Sequence, residues 1–312
     1  DHFYHINGTL EDVCQQVITD QLHILVFTDI GMDPPTTLVA GLRLAPVQCM
    51  AWGHPITSGL PTIDYFLSSE LMEPENAKAH YCEQLIPLPN ISICYEKPSI
   101  PQPTKTRSDF QLREDAIVYL SCQSLFKYLP QFDAIFAQIA QRVPQAQFAF
   151  LASHATSITA QFSARLSRAF ANFGLNSEDF CVVVPRQDWI SYLNLNSVSD
   201  VFLDTFSWSG GNTALEAIAC GLPVVTSPGE LMRSRHSYGI LQMMGVTETI
   251  AQDEQEYIEI AVRLGLDTQW RKAIVQKIYE RHSQLYNDRS CVTALESFYK
   301  QVVRQGIEVN SR

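Results

Sequence analysis

The chain has 312 residues, a formal net charge of −11 at pH 7, 46% hydrophobic residues and 18% charged residues. A chain of this length can bury one large core or two of ordinary size, and its composition is that of a soluble globular protein. The acidic balance argues against a broad surface for nucleic acid or anionic membranes, although it leaves room for a locally basic pocket. We therefore expect neither nucleic acid nor a membrane among its partners.

The eight cysteines are scattered along the chain without CxxC or metal-finger spacing. This pattern is typical of small buried apolar residues in a reducing compartment. No apolar run is long enough to span a bilayer and no secretion signal opens the chain, so we expect a cytoplasmic protein. The first residue is Asp1 rather than Met, and we expect a fragment or a trimmed product.

The first part of the chain carries short strand and helix patterns. Apolar residues at helical spacing begin at Leu10, and Ile24–Phe27 is typical of a buried strand. Asp33 followed by Pro34 suits a helix N-cap with a proline in the first turn. Further strands are predicted at residues 47–52, 65–67 and 85–88, with a helix near 73–82. Residues 97–108 read KPSIPQPTKTRS, and the three prolines with little apolar content predict a linker.

After this linker, strands and helices alternate regularly. Strands are predicted at residues 117–121, 147–151, Cys181–Val184 and 201–204. A helix is predicted to start at Pro130, with Phe132, Ile135, Phe136 and Ile139 on one face. The alternation predicts an α/β fold in which helices cover both faces of a parallel sheet.

Residues 204–235 organise the second half of the chain. Their sequence, DTFSWSGGNTALEAIACGLPVVTSPGELMRSR, predicts the end of a buried strand, a glycine-bearing loop, a short helix and a strand at 224–226. Gly210 and Gly211 stand where the backbone must turn just before the helix. A helix N-terminus carries unsatisfied N–H groups and partial positive charge, so the loop is a candidate diphosphate cradle at the carboxyl ends of parallel strands.

A second interpretation of the same loop stays open. Thr213 and Glu216 fit the capping box T-x-x-E, in which both side chains would only start the helix. A Gly-Gly pair before a helix is also weakly specific by itself.

Over its whole length, the stretch resembles the donor-nucleotide region of the family 41 glycosyltransferases. These include protein O-GlcNAc transferases, plant Spindly proteins and bacterial adhesin glucosyltransferases. The shared pattern is LDT, a small-residue loop with Thr, an acidic residue, A-x-G-x-P-[VM]-V-T, P-G-E and Ser-Arg. In this chain it falls on residues 203–205, 211–213, 216, 219–226, 228–230 and 234–235. The resemblance implies GT-B architecture, with two Rossmann-like domains facing a cleft.

The resemblance also implies a division into domains. Residues 1–100 would form the C-terminal part of the N-terminal, acceptor-side domain, which we expect to be incomplete. Residues 101–108 would be the linker, and 109–290 the nucleotide-sugar-binding domain. Residues 291–312 would form a C-terminal helix that crosses back to the first domain. We expect a catalytic region without the helical repeats that precede it in many members.

Lys127 matches a family lysine that contacts the donor diphosphate, and Gln123 and Ser124 belong to the same loop. The leaving UDP gains negative charge as the sugar bond breaks, so a fixed ammonium stabilises the transition state more than the ground state. The alternative is a solvated loop lysine. We predict that Lys127 is catalytic and that Gln123 and Ser124 bind the donor.

The resemblance implies that residues at the start of the short helix make the other contacts with the phosphates and the ribose. Gly210, Gly211, Asn212 and Thr213 would bind the phosphates, and Glu216 would accept from both ribose hydroxyls. The Gly-Asn-Thr sequence is closer to the adhesin glucosyltransferases than to the His-Thr-Thr pattern of O-GlcNAc transferases. It therefore predicts a hexose pocket that does not demand an N-acetyl group.

The segment after strand Cys181–Val184 lies where the family binds uracil. Val184 and Pro185 would present backbone groups to the base edge, beside Arg186. Trp189 would stack on the base, or it would be a core aromatic at a helix start. A purine would need more depth here, so we expect UDP rather than GDP.

A loop of the first domain matches the family pattern G-[YH]-P-x-T-S-G. Gly53, His54, Pro55 and Thr57 would face the donor from that side. Histidine is a common general base, but the family assigns no such role to this position, so we interpret His54 as a pocket residue. Asp29, at the end of a strand, is a second weak candidate for the base.

These patterns predict an inverting glycosyltransferase that moves a sugar from UDP-GlcNAc or UDP-glucose to Ser, Thr or Asn of an acceptor protein. Family 41 enzymes work without metal, so we expect neither a metal ion nor another cofactor. Two alternatives stay open. One is a GDP-fucose-dependent protein O-fucosyltransferase like the plant Spindly proteins, and the other is a nucleotide-binding fragment without turnover.

Overall fold

The computed structural model describes the chain from residue 2 to residue 310. The strands are β1 (Ile24–Phe27), β2 (Val47–Ala51), β3 (Tyr65–Ser69), β4 (Gln84–Leu88), β5 (Ile117–Leu120), β6 (Ala146–Leu151), β7 (Cys181–Val184), β8 (Val201–Leu203) and β9 (Val224–Val225). The α-helices are α1 (Leu10–Thr19), α2 (Pro34–Ala40), α3 (Asp133–Arg142), α4 (Thr156–Asn172), α5 (Trp189–Val198), α6 (Asn212–Ala219), α7 (His236–Met244), α8 (Glu254–Leu266), α9 (Thr268–Arg281) and α10 (Ser290–Asn310). They belong to two units. The first unit holds Asp1–Cys94, Leu231–Arg233 and Arg289–Arg312, and the second holds Tyr95–Glu230 and Ser234–Asp288.

The first unit is built on a parallel sheet with the strand order β1-β2-β3-β4. The last helix, α10, packs on this sheet, since Cys291 joins a buried cluster with Cys49 of β2 and Leu67 of β3. Further along α10, the ring of Phe298 meets the ring of Tyr65 edge-on, with centroids 5.1 Å apart. The end of the chain thus supplies part of the first unit's core.

Two of the helices predicted in the first unit differ in outcome, since the structure contains one and lacks the other. Asp33 caps α2 as predicted, since its carboxylate accepts the N–H of Thr36 at 2.8 Å. The helix predicted near residues 73–82 is wrong, because this segment forms only a short 3-10 turn at Ala77–His80. The backbone becomes extended at Tyr81, whose ring packs on another core ring with centroids 4.4 Å apart. Tertiary packing of this tyrosine therefore overrides the helical pattern.

The second unit is built on a parallel sheet with the order β7-β6-β5-β8-β9. The chain adds β6 and β7 on one side of β5, and then β8 and β9 on the other. The strand order therefore reverses between β5 and β8, and open α/β sheets bind ligands at the carboxyl ends of strands beside such a switch point. Helix α3 begins at Asp133, after a 3-10 turn at Pro130–Phe132, so it starts later than predicted.

The segment predicted as a linker, residues 101–108, is anchored to the second unit over its second half. The N–H of Thr104 donates to Oδ1 of Asn194 at 2.7 Å. The guanidinium of Arg107 donates to the carboxylate of Asp200 at 2.9 Å. The spacer that the prolines predicted is thus shorter than its composition suggested, because polar side chains of the second unit hold its end.

The cysteines are all free thiols. Cys49, Cys122 and Cys291 are buried as predicted, whereas Cys82 and Cys94 are exposed. Within the part of the chain that the structure describes, no helix has the length and apolar content needed to cross a membrane.

Candidate functional site

Loops after two neighbouring strands bring three of the predicted site residues together. Gln123 follows β5, and its Nε2 donates to Oγ1 of Thr213 at 2.7 Å, at the start of α6. The Nζ of Lys127 donates to Oε1 of Gln123 at 3.4 Å. Gln123 therefore links the lysine to the helix start, beside the switch point between β5 and β8.

The ammonium of Lys127 is half-buried and lies over the ring of Trp208, 5.2 Å from its centroid. Burial lowers the pKa of Lys127, while the negative charge of Asp204 acts in the opposite direction. A cation in such a place interacts with nearby anions more strongly than a solvated one. The interpretation as a solvated loop lysine does not fit these contacts.

The glycine loop before α6 is closely packed. A Cβ on Gly210 would lie 2.5 Å from Oγ1 of Thr213 and 2.8 Å from Nε2 of Gln123, so a larger residue would displace these two side chains. Gly211 is the N-cap of α6, and as a glycine it has no side chain to make a capping hydrogen bond. The first-turn N–H groups thus remain suited to an anion.

The capping-box interpretation is wrong. Thr213 is the second residue of α6 rather than its N-cap, and its Oγ1 accepts from Gln123. The carboxylate of Glu216 accepts from Nε1 of Trp189 at 3.4 Å, on the neighbouring helix α5. The acid therefore bonds to a neighbouring helix and does not cap α6.

Asp204, for which the sequence predicted no role of its own, is the centre of a buried hydrogen-bond network. Its Oδ1 accepts the N–H of Gly210 at 2.8 Å. Its Oδ2 accepts the hydroxyls of Ser209 and Thr226 at 2.6 and 2.8 Å. Burial raises the pKa of Asp204, and these donors act against that rise. The network ties the ends of β8 and β9 to the glycine loop. Its signal in the sequence is limited to Asp204 and Thr226, which follow these two strands.

Helix α7 begins against the same loop, which the sequence did not reveal. The Nδ1 of His236 lies 3.3 Å from the carbonyl oxygen of Ser209. Ser237 donates its N–H to Oγ of Ser209 at 2.8 Å and its hydroxyl to the carbonyl of Gly210 at 3.1 Å. Burial lowers the pKa of His236 to about 4, with the charge of Lys127 acting in the same direction. The imidazole is therefore neutral at physiological pH.

We expect His236 to make the folded protein less stable in acid. Its pKa of about 4 in the folded state lies below its ordinary value of 6.5, so between these values the unfolded state binds the proton more readily. The stability that the neutral ring contributes is present above pH 6.5 and is lost as the pH falls, by roughly 2 kcal/mol at pH 5. Urea unfolding at pH 7 and pH 5 should show a drop that is smaller in His236→Gln by about this amount. His154→Gln, at an exposed site, is the control, and equal drops in all three proteins would contradict the expectation.

In the segment predicted to bind uracil, two backbone carbonyl groups already accept hydrogen bonds from within the protein. The carbonyl of Val184 accepts the N–H of Ala152 at 2.9 Å. The carbonyl of Pro185 accepts from Nε2 of Gln187 at 2.7 Å, and a proline has no N–H to offer. Each oxygen keeps one lone pair for a ligand. Arg186 is exposed.

Trp189 is 50% exposed, so the interpretation as a core aromatic is wrong. Burial raises the pKa of Glu216, and Trp189 and Tyr192 act against that rise. Tyr95 also lies close enough for the charge of Glu216 to raise its pKa, after burial as the larger cause. The sequence missed both tyrosines, which carry no motif.

The predicted loop of the first unit follows β2. The ring of His54 lies against Gly31, where a Cβ would be 2.5 Å from the imidazole Cδ2. The hydroxyl of Thr57 and the N–H of Ser58 each donate to the buried carboxylate of Glu83 at 2.7 Å. Glu83, which the sequence analysis did not single out, therefore fixes the conformation of this loop.

The chain is similar in sequence to known proteins over most of its length. The sequence profile described as Glycosyl transferase family 41 matches residues 4–100 and 94–295. A probable UDP-N-acetylglucosamine–peptide N-acetylglucosaminyltransferase SPINDLY from Solanum lycopersicum is 28% identical over 279 residues, covering 84% of this chain and 28% of the plant protein. The UDP-glucose:protein N-β-glucosyltransferase of Actinobacillus pleuropneumoniae serotype 7 is 27% identical over 263 residues, covering 83% of this chain and 41% of that protein. The chain thus spans less than half the length of either relative.

Solved structures share the fold. An O-GlcNAc transferase mutant of Thermobaculum terrenum superposes with a TM-score of 0.84 at 24% identity, over 97% of this chain and 57% of that one. A sucrose-phosphate synthase from Thermosynechococcus elongatus gives a TM-score of 0.65 at 17% identity, over 95% of this chain and 77% of that one. The predicted α/β fold of the GT-B class is confirmed.

Proposed function

The chain belongs to glycosyl transferase family 41, and we propose that it moves a sugar from a UDP-linked donor to a side chain of an acceptor protein. The observation that carries the proposal is the junction of Lys127, Gln123 and Thr213 at the uncapped start of α6. An ammonium and oriented N–H groups at one point suit a nucleoside diphosphate. The names of two relatives specify UDP-sugar donors with peptide or protein acceptors, which supports the same class here.

In the proposed reaction, the bond between the anomeric carbon and the β-phosphate oxygen breaks, and its electron pair stays on UDP. The acceptor oxygen or nitrogen bonds to the anomeric carbon from the opposite face, and its proton passes to a base. Lys127 would stabilise the charge that grows on the departing phosphate. The N–H groups of Asn212 and Thr213 would bind other phosphate oxygens at the helix start.

The nucleoside would lie beside Glu216 of α6 and Trp189 of α5. Glu216 would accept from the ribose hydroxyls, and the exposed ring of Trp189 would stack on uracil. Because Asn212 resembles the glucosyltransferase pattern, we propose a hexose donor without a strict demand for an N-acetyl group.

Calorimetric titration with UDP-glucose, UDP-GlcNAc and GDP-fucose tests the donor. We expect both UDP-sugars to bind more tightly than GDP-fucose. Tightest binding by GDP-fucose would contradict the proposal that the donor nucleotide is UDP. A preference for UDP-GlcNAc above tenfold, about 1.4 kcal/mol, would contradict the proposal that the sugar pocket does not demand an N-acetyl group. If the protein binds a donor but releases no UDP in the presence of acceptor peptides, the remaining interpretation is a nucleotide-binding fragment without turnover.

We expect EDTA to change neither UDP affinity nor the release of UDP from the donor. The diphosphate charge would be met by Lys127 and by the start of α6, without a cation. The same titrations and release assays, run with and without chelator, provide the measurement. A loss of affinity in EDTA that Mg²⁺ or Mn²⁺ restores would refute metal independence.

A further inference from the structure

The backbone of Gly210, in the loop before α6, is bonded to the protein interior at both of its polar groups. Its N–H donates to Oδ1 of Asp204 at 2.8 Å, and its carbonyl oxygen accepts the hydroxyl of Ser237 at 3.1 Å. Both partners are buried. An anion is bound by N–H donors, and this N–H is already taken. Gly210 therefore contributes to an anion site through the conformation of the loop.

The carboxylate of Asp204 accepts two further hydrogen bonds. Oγ of Ser209 accepts the N–H of Ser237 at 2.8 Å, and the Ser209 hydroxyl donates to Oδ2 of Asp204 at 2.6 Å. The hydroxyl of Thr226 donates to the same oxygen at 2.8 Å. An ionised carboxylate is an acceptor only, so it satisfies all three donors. An asparagine has one oxygen, so it would direct N–H groups either at Gly210 or at the two hydroxyls.

The loop that Asp204 holds leads directly into α6. Gly211 is the N-cap of this helix, and its carbonyl oxygen accepts the N–H groups of Ala214 and Leu215, both at 3.1 Å. The N–H groups of Asn212 and Thr213 have no acceptor among the described residues. The direction in which these two N–H groups point is set by the loop that precedes them.

A buried negative charge beside an anion site also has a cost. The charge of Asp204 repels a diphosphate, and burial strengthens that repulsion. Two effects of this residue on an anion therefore oppose each other, since its hydrogen bonds hold the loop while its charge acts against the ligand. The sign of the change in affinity when the charge is removed shows which effect is larger.

We infer that Asp204 is a positioning residue, which holds the Gly210 backbone inward and so aims the N–H groups of Asn212 and Thr213 at the donor diphosphate. This inference rests on the proposed function and deepens it. Thr226 supports the carboxylate from the end of the neighbouring strand β9. Asp204 acts on the ligand through the loop and does not itself contact a phosphate.

Titrations of Asp204→Asn and Thr226→Val with UDP and with uridine test the inference. Calorimetry measures UDP, and ligand-detected NMR measures the weaker binding of uridine. We expect UDP affinity to fall about 10-fold in Asp204→Asn and about 3-fold in Thr226→Val, while uridine affinity stays the same. The ratio of the two affinities reports the diphosphate contacts, because uridine carries no phosphate.

Asp200→Asn is the matched control, because Asp200 precedes the same three-residue strand β8 that Asp204 follows. Its carboxylate accepts the N–H of Val118 at 2.8 Å and pairs with Arg107 at 2.9 Å. This variant should lower the free energy of unfolding and leave the ratio of UDP to uridine affinity unchanged. A merely structural role of Asp204 would leave that ratio unchanged in both asparagine variants.

A rise in UDP affinity in Asp204→Asn would overturn the inference, and so would equal losses for UDP and uridine. Thr226→Val keeps the charge and nearly the volume, so it decides the question if Asp204→Asn does not fold, and an unchanged ratio there would also overturn the inference. If the wild-type protein binds UDP more tightly than uridine but the variants keep its ratio, this inference fails and the proposed function stands. If the wild-type protein does not bind UDP, both fail.

Discussion

Replacing Lys127 by alanine should slow the release of UDP from a bound UDP-sugar by about 10²–10³-fold while weakening UDP binding much less. In the proposed reaction the charge on the departing phosphate grows as the sugar bond breaks, so the ammonium would contribute more to the transition state than to the ground state. Gln123 holds the Nζ at 3.4 Å and connects it to the start of α6. Single-turnover UDP release and calorimetric UDP affinity, measured on the same protein, give the two numbers.

Lys272→Ala is the matched control for this experiment, because it removes the same charge from an exposed position on α9. It should leave both numbers unchanged. Equal losses in affinity and turnover for Lys127→Ala would make this lysine a ground-state binder. Turnover near that of the wild type would make it a surface residue.

Replacing Glu216 by glutamine should weaken UDP binding by roughly 1.5–3 kcal/mol, because the ribose hydroxyls lose a charged acceptor. Stability should change little, since the glutamine keeps the volume and the acid does not cap α6. Calorimetry with UDP and urea unfolding measure the two effects. Glu254→Gln, at an exposed acid on α8, is the control. Lower stability with unchanged UDP affinity would return Glu216 to a purely structural role.

Most of the fold follows from local patterns in the sequence. Apolar strands that alternate with helices are typical of a parallel sheet with helices on its faces, and the strands of both sheets are parallel. The meeting of Gln123 with Thr213 also follows, because loops at the carboxyl ends of adjacent parallel strands share one edge. Here the order of elements was enough to place the residues.

The parts that the sequence did not reveal depend on side chains far apart in the chain. Asp204 meets Thr226, and Trp189 meets Glu216, without any periodic signal that would connect them. The capping box failed for the same reason, since a local T-x-x-E pattern contains nothing about the partner that Thr213 finds elsewhere. Such hydrogen bonds follow from the tertiary structure and are not encoded in a local motif.

The packing of α10 has a consequence for the order in which the protein is made. The ribosome completes all of the second unit before Cys291 and Phe298, which cover the first sheet, have been synthesised. The second unit is nearly continuous in the chain and is free to close its core early, whereas the first unit waits for its final helix. The unit that is translated first therefore completes its core last, and until then the apolar sheet face that α10 covers stays exposed to solvent.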